Sequence, residues 1–274
     1  MSERLQMLAD MVTPGNRLVD VGCDHGFLDI YLVQEGICPG ALAMDVREGP
    51  LGSAGEHIRQ SGLGDYIEIR MSDGLRACGM GEAETLVCAG MGGRLMERIL
   101  REGLDKAKGM KELILQPQSE LPEFRAFLKG AGFTVVCEDA VCEEGKYYFA
   151  MKAVYQEQAP NGCADDGGTL PEDGLRPEDG LRQEDGLRQE DEPRQEDGSG
   201  AAAQLYDLFG EHLLKGRHPV LGQYLRQRRD YLEGLKASME GAGTDKARVR
   251  VCEIGRELEE IGQALLYFGR EGCT

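Results

Sequence analysis

A chain of 274 residues can hold one sizeable core and a smaller appendage, since domains run to roughly 100–200 residues. Its formal charge of −18, from 31 Lys and Arg against 49 Asp and Glu, argues against an extended basic surface for nucleic acid. No apolar run approaches the ~18 residues of a membrane span, and Glu3, Arg4 and Asp10 interrupt the first ten residues, so neither an anchor nor a signal peptide is expected.

In chain order, Leu5, Leu8, Ala9 and Val12 fall at i, i+3, i+4 and i+7 and predict a helix ahead of the first strand. Short β-rich runs then alternate with helical stretches, the signature of a parallel sheet covered on both faces. Seven strands are expected, at 18–21, 41–46, 67–71, 85–89, 113–116, 134–137 and 147–154. The connection at 138–146 is too short for a helical crossover, so the last pair should be antiparallel. The catalytic domain should span 1–158. Residues 159–203 form an acidic linker in which the unit Pro-Glu-Asp-Gly-Leu-Arg recurs from Pro171 with increasing decay. Between 161 and 200 there are thirteen acidic residues and four Arg, half of the excess negative charge, and one Leu per unit buries too little to order the segment. From 204 to 274 the period becomes that of a coiled coil. Val251, Ile254, Leu258, Ile261, Leu265 and Phe268 face a rougher stripe at Leu221, Leu225, Tyr231, Leu232, Leu235 and Met239, with a turn at 241–245. An antiparallel helical hairpin is the simplest object, and its oligomeric state is not legible.

The nine cysteines are scattered and include no C-x-x-C pair, which predicts reduced thiols, a cytoplasmic location and no metal site. Cys88 and Cys137 lie in apolar runs and are expected to be buried.

The chemistry gathers at strand ends. The first strand runs through Asp20 into Gly22-Cys23-Asp24-His25-Gly26, a strand, glycine turn and helix in which Gly22 permits the tight turn and Gly26 a close approach by a ligand. A dinucleotide site would place glycine where Asp24 stands. An acid there repels phosphate but suits a ligand carrying an ammonium and a sulfonium, as S-adenosylmethionine does. The second strand ends at Asp45-Val46, where an acid able to hold ribose hydroxyls belongs, and Asp73-Gly74 follows the third, placed for the adenine amino group. Singly, each acid reads as a cap or turn residue; three on successive strands point to the cofactor. The helix at 5–12 would pack near its entrance. After the fourth strand, Ala89-Gly90-Met91-Gly92-Gly93 bares backbone to cofactor and substrate, and Gln116-Pro117 brings an amide to the same rim after the fifth.

These motifs together resemble the bacterial tRNA (adenine-22, N-1)-methyltransferases. The resemblance rests on Asp20 to Gly26, on Arg47-Glu48-Gly49-Pro50, on Ser72 to Leu75, on Ala89 to Gly93, on Leu113 to Pro117 and on Glu143 to Tyr148, and it covers nearly all of 3–155. Phe209-Gly210 and the hairpin look like that family's C-terminal coiled coil. Asp29 stands where proline is expected and Gln118 where asparagine is usual, departures that bear on local loop geometry. The resemblance implies a Rossmann-like class I methyltransferase fold, S-adenosylmethionine as cofactor and tRNA as substrate. It further implies catalytic roles for Asp24 and Gln116, and base contacts from Gly92, Gly93, Gln116 and Pro117. Arg226, Arg228 and Arg229 of the hairpin are the expected RNA contacts, although solvated helix faces carry such charges too. The alternatives are a class I methyltransferase for a small molecule or protein, a nicotinamide-dependent dehydrogenase, and a sheet that has lost its chemistry. The set Asp20, Gly22, Gly26, Asp45 and Asp73 weighs against the last.

Overall fold

In the computed structural model, which describes residues 1–156, 199–240 and 245–269, the apolar runs become seven strands. These are β1 (Leu18–Val21), β2 (Ala41–Asp45), β3 (Ile67–Met71), β4 (Thr85–Met91), β5 (Glu112–Pro117), β6 (Phe133–Glu143) and β7 (Lys146–Tyr155). They form one sheet in the order β3-β2-β1-β4-β5-β7-β6, parallel from β3 to β5, with β7 antiparallel to both β5 and β6. Strands β1, β2 and β5 are buried along their whole length, as expected of a sheet covered on both faces.

The helices α1 (Glu3–Met11), α2 (Phe27–Gln34), α3 (Glu48–Gln60), α4 (Gly93–Glu102), α5 (Leu104–Lys108) and α6 (Leu121–Gly130) cover the sheet. One apolar layer carries Met96, Leu100, Phe124 and Leu128, from α4 and α6. The other carries Leu8, Leu28, Leu32, Ala54 and Ile58, from α1, α2 and α3. The α1 helix forms as its spacing predicts, with the Ser2 hydroxyl accepting from the Leu5 amide at 3.3 Å as an N-cap.

Two expectations change at the end of the sheet. The acidic run after Cys137 reads as a loop, yet β6 continues to Glu143 and turns into β7 through two residues, Glu144 and Gly145. Its acids are held by partners distant in sequence: Glu138 pairs with Arg125 at 2.9 Å and Asp139 with His218 at 2.9 Å. Cys137 is exposed rather than buried, because a register shift between Val135 and Cys137 interrupts the inward alternation; Cys88 is buried as expected.

The remaining helices are α7 (Ser199–Phe209), α8 (Glu211–Lys215), α9 (Pro219–Glu240) and α10 (Asp245–Leu265), followed by a 3-10 turn at Leu266–Phe268. The α7 helix opens inside the segment expected to remain linker to 203, where three consecutive alanines favour helix. The acidic repeat and the turn at 241–244 lie outside the described residues. Arg228 of α9 pairs with Glu257 of α10 at 2.7 Å and Gly222 packs against Phe268, so the two helices run antiparallel. Leu221, Leu225, Leu232, Ile254 and Ile261 fill the seam, while Tyr231 turns outward, 60 % exposed. The buried Arg125–Glu138 pair fastens this unit to the sheet: Arg125 donates to the Asp207 and Leu208 carbonyls at the end of α7, and Glu138 accepts from the His212 amide of α8. Gly210 has φ +92° and leaves no room for a Cβ beside the Glu138 carboxylate. Among the described residues, no helix is long and apolar enough to cross a membrane.

Candidate active site

The strand order reverses between β1 and β4, and an open α/β sheet receives its ligand in the crevice at that point. A cleft of about 810 Å³ opens there, within the range of small-molecule sites. Asp20, Gly22, Asp24, His25, Asp45, Val46, Asp73, Gly74, Ala89, Gly90 and Met91 all line it.

Each wall has a local cause. After β1 the chain turns at Gly22, φ +83°, and the Gly22 and Cys23 amides both donate to the Met44 carbonyl, at 2.7 and 3.0 Å. A Cβ on Gly22 would strike the Met91 methyl, which reaches over the turn. Asp24 takes a left-handed conformation at φ +51°, which Asp tolerates better than most residues, and its side chain is 64 % exposed to the cleft. Gly26 is the N-cap of α2 and lies against Ala54 rather than on the cleft surface. Asp45 is buried at the end of β2, with one oxygen accepting from the Arg47 amide at 2.8 Å. The Ser72 amide donates to the Asp45 carbonyl at 3.0 Å, tying the β3 exit to β2. Asp73 is flanked by Arg98 at 3.1 Å and Arg76 at 3.3 Å.

The glycine run after β4 is a β-bulge. Ala89 pairs with Gln116 and Met91 with Pro117, which leaves Gly90, φ +76°, as the extra residue between them. Its amide, freed from the ladder, donates to Gln116 Oε1 at 3.1 Å. Gln116 therefore does not stand on the rim as the sequence reading expects. Its side chain is fully buried beneath Gly90, because β5 presents it inward, and Nε2 has no partner among the described residues. Pro117 is buried at the end of β5. Gly92 caps α4, and a Cβ on Gly93, its first residue, would come within 2.5 Å of the Ser119 carbonyl oxygen, so both shape the loop without lining the cleft.

Several lining residues carry no motif. Arg4, Leu5 and Leu8 enter from α1, whose apolar spacing is the only signal for its place at the entrance; Phe27, Arg98 and Gln118 complete the wall. Under the cleft, Asp29 is wholly buried and its carboxyl faces that of Asp20. Burial raises both pKa values well above the ordinary carboxylate range, and the Asp29 charge raises Asp20 further; for Asp29, hydrogen bonding with Asp20 and the backbone offsets part of the burial effect, leaving it pushed up to about 7. The departure from proline leaves the turn intact, since Asp29 sits in the first turn of α2.

The hairpin arginines Arg226, Arg228 and Arg229 do not line this cleft. Arg228 is paired with Glu257 and Arg229 with Asp230 at 3.2 Å, so they offer less free charge than their number suggests.

The sheet order and the acid-rimmed cleft define an S-adenosylmethionine-dependent methyltransferase, and the sequence model described as "Methyltransferase domain" matches residues 1–151. The tRNA (adenine(22)-N(1))-methyltransferase of Bacillus subtilis (strain 168) is 36% identical over 170 residues, 62% of this chain and 70% of the relative. The crystal structure of the B. subtilis m1A22 tRNA methyltransferase TrmK superposes with a TM-score of 0.73 at 25% identity, over 97% of this chain and 98% of that one. A Streptococcus pneumoniae protein assigned as a tRNA (m1A22) methyltransferase and crystallised with S-adenosyl-L-methionine gives 0.71 at 27%, over 97% and 99%. This chain belongs to the tRNA (adenine(22)-N(1))-methyltransferase family.

Proposed function

We propose that this chain methylates N-1 of adenine 22 of tRNA, with the cleft at the β1/β4 switch point holding S-adenosylmethionine beside the Gly90 bulge. The observation that carries the reading is this cleft, rimmed by Asp20, Asp45 and Asp73, in a chain of that family. The donor set fits the cofactor: Asp45 for the ribose hydroxyls, Asp73 and Gly74 for the adenine, Asp20, Asp24 and His25 for the cationic end. Bound there, S-adenosylmethionine supplies a methyl group on a positively charged sulfur.

The N-1 lone pair of adenine needs no prior deprotonation at neutral pH, so the residues have only to position it in line and exclude water. In the duplex that nitrogen is paired, so the nucleotide must be unpaired or flipped to enter. The Ala89–Met91 backbone forms the wall it meets, and Gln116 acts through that wall by fixing the Gly90 amide. Replacing Gln116 with Leu leaves that amide without its acceptor, a cost of about 1–3 kcal/mol for a buried group, and is expected to lower methyl transfer about 10- to 100-fold. Binding of S-adenosylhomocysteine, which does not need the base wall, should change less than threefold. Turnover equal to wild type would remove Gln116 from the mechanism.

On the hairpin, Arg226, Arg228 and Arg229 are the phosphate contacts we assign to α9. The double change Arg228→Ala and Arg229→Ala should weaken tRNA binding about threefold to tenfold and flatten its salt dependence, with cofactor affinity unchanged. An unaltered salt slope moves the RNA surface elsewhere. The substrate reading is tested with tRNA transcripts carrying A22 or G22 and radiolabelled S-adenosylmethionine: label is expected in the first only, and equal label in both sets the target at another nucleotide.

A further inference from the structure

One buried carboxyl lies under the cleft without lining it. Asp29, in the first turn of α2, is wholly buried, and its carboxyl faces that of Asp20 on β1, which does line the cleft. Apart from its own backbone amide and the Asp20 carboxyl, no donor reaches either Asp29 oxygen among the described residues. Ionising two buried carboxyls in hydrogen-bonding contact is strongly unfavourable, so near neutral pH a proton lies between them and the pair carries one charge at most. The neighbours reinforce this. Asp24 and Asp45 oppose a charge on Asp20, and the thiols of Cys23, Cys38 and Cys88 are pushed up by burial and by these acids, so they stay neutral. The cations of the cleft are engaged elsewhere. Arg47 answers Asp45 at 3.4 Å, Arg98 answers Asp73 at 3.1 Å, His25 answers Asp24 at 3.8 Å, and Arg4 of α1 donates to Gln116 Oε1 at 3.4 Å. On α3, His57 Nδ1 donates to the His25 carbonyl at 3.0 Å.

We propose that Asp29 is a positioning residue for the cofactor, taking the proton from Asp20 when the cofactor's ammonium arrives so that Asp20 meets it as a carboxylate. The assignment rests on Asp20 facing the cationic end of S-adenosylmethionine, as proposed above. With the cleft empty the proton sits on Asp20, whose charge three acids oppose, and the charge on Asp29 is held by its own backbone amide. An ammonium beside Asp20 reverses that preference, because it favours the charged form of the nearer carboxyl. The O–H bond on Asp20 breaks and one forms on Asp29. The pair carries one negative charge before and after, and nothing passes to solvent. Below about pH 7 Asp29 is itself protonated, so the pair holds two protons and one must leave to water before the ammonium is met by a carboxylate. Cofactor affinity therefore falls with pH below that point and is level above it. The arrangement lets an acid-rimmed cleft stand empty without two charges buried side by side, and still offer a full carboxylate to its ligand.

The test is titration with S-adenosylhomocysteine, which keeps the ammonium, from pH 6 to pH 8.5 and without RNA, so that the tRNA reading does not enter. For wild type, affinity should be level above about pH 7 and about tenfold weaker at pH 6. Calorimetry in two buffers of different ionisation heat should count about one proton released per ligand at pH 6 and close to none at pH 8. 5′-Methylthioadenosine, which lacks the amino-acid portion, should show neither effect. In Asp29→Asn the side chain cannot ionise and donates to Asp20, which then stays a carboxylate, so affinity should change less than about threefold across the range. The proton count on wild type needs no variant and keeps the test available if Asp29→Asn folds poorly. A tenfold fall retained in Asp29→Asn would assign the titration to His25 and overturn the proposal, as would a wild-type affinity independent of pH. A failure of the cofactor orientation shows separately: Asp20→Asn would then bind as tightly as wild type at pH 8, placing the ammonium away from Asp20 and removing the basis of the proposal.

Discussion

Asp45→Ala is expected to weaken S-adenosylhomocysteine binding by about 10²- to 10³-fold while leaving the sheet folded. The carboxylate is fixed before any ligand arrives: it is buried at the end of β2, and one oxygen takes the Arg47 amide at 2.8 Å and the guanidinium at 3.4 Å. The other oxygen takes no hydrogen bond among the described residues. A ribose diol would make charge-assisted hydrogen bonds to this group, each about 1.5–3 kcal/mol, and a tenfold change in affinity corresponds to about 1.4 kcal/mol. Calorimetry on the purified variant measures the loss directly. A dissociation constant within threefold of wild type would mean that the ribose is held by something else.

The second large effect lies beneath the cleft. Asp29→Asn is expected to stabilise the protein at pH 8 by about 2–4 kcal/mol and to leave it nearly unchanged at pH 4. In the folded chain the Asp29 carboxyl is raised from the ordinary range to about 7 by burial, facing Asp20, whose own pKa is raised for the same reason. The folded protein therefore holds protons that the unfolded chain has released. The Asp29 contribution is complete below about pH 4, the unfolded carboxyl value, and is lost as the pH rises to about 7. Above that, Asp29 holds a buried charge beside Asp20. An asparagine cannot ionise and donates its amide to Asp20 instead. Thermal melts of both proteins from pH 4 to pH 8 should show the wild-type midpoint falling away from that of the variant. Parallel curves would show that the pair does not titrate in this range.

The parts of this site that follow from strand ends were legible in the sequence. Asp24, Asp45 and Asp73 end or follow strands whose apolar runs mark their boundaries, and an open parallel sheet puts its ligand at those ends. Gly90 could be recognised as a place of bare backbone, although not as a bulge, which depends on pairing with β5. Gln116 was misplaced for a related reason. Every residue of β5 is buried, so the strand has no inside–outside alternation from which the side chain's direction could be read. Arg4 and Asp29 gave no signal because what matters about each is a neighbour remote in sequence: Gln116 and Tyr148 for the first, the floor of β1 for the second. The same holds for β6, where Glu138 and Asp139 look like loop residues until Arg125 and His218 are brought beside them.

The most direct test of the account is to incubate the full chain with S-adenosylmethionine and unmethylated bacterial tRNA, digest the RNA and identify the modified nucleoside by mass spectrometry. The account predicts N-1-methyladenosine, mapped to position 22. A protein that binds the cofactor yet leaves adenine 22 unmodified, across several tRNA species and salt concentrations, would contradict it.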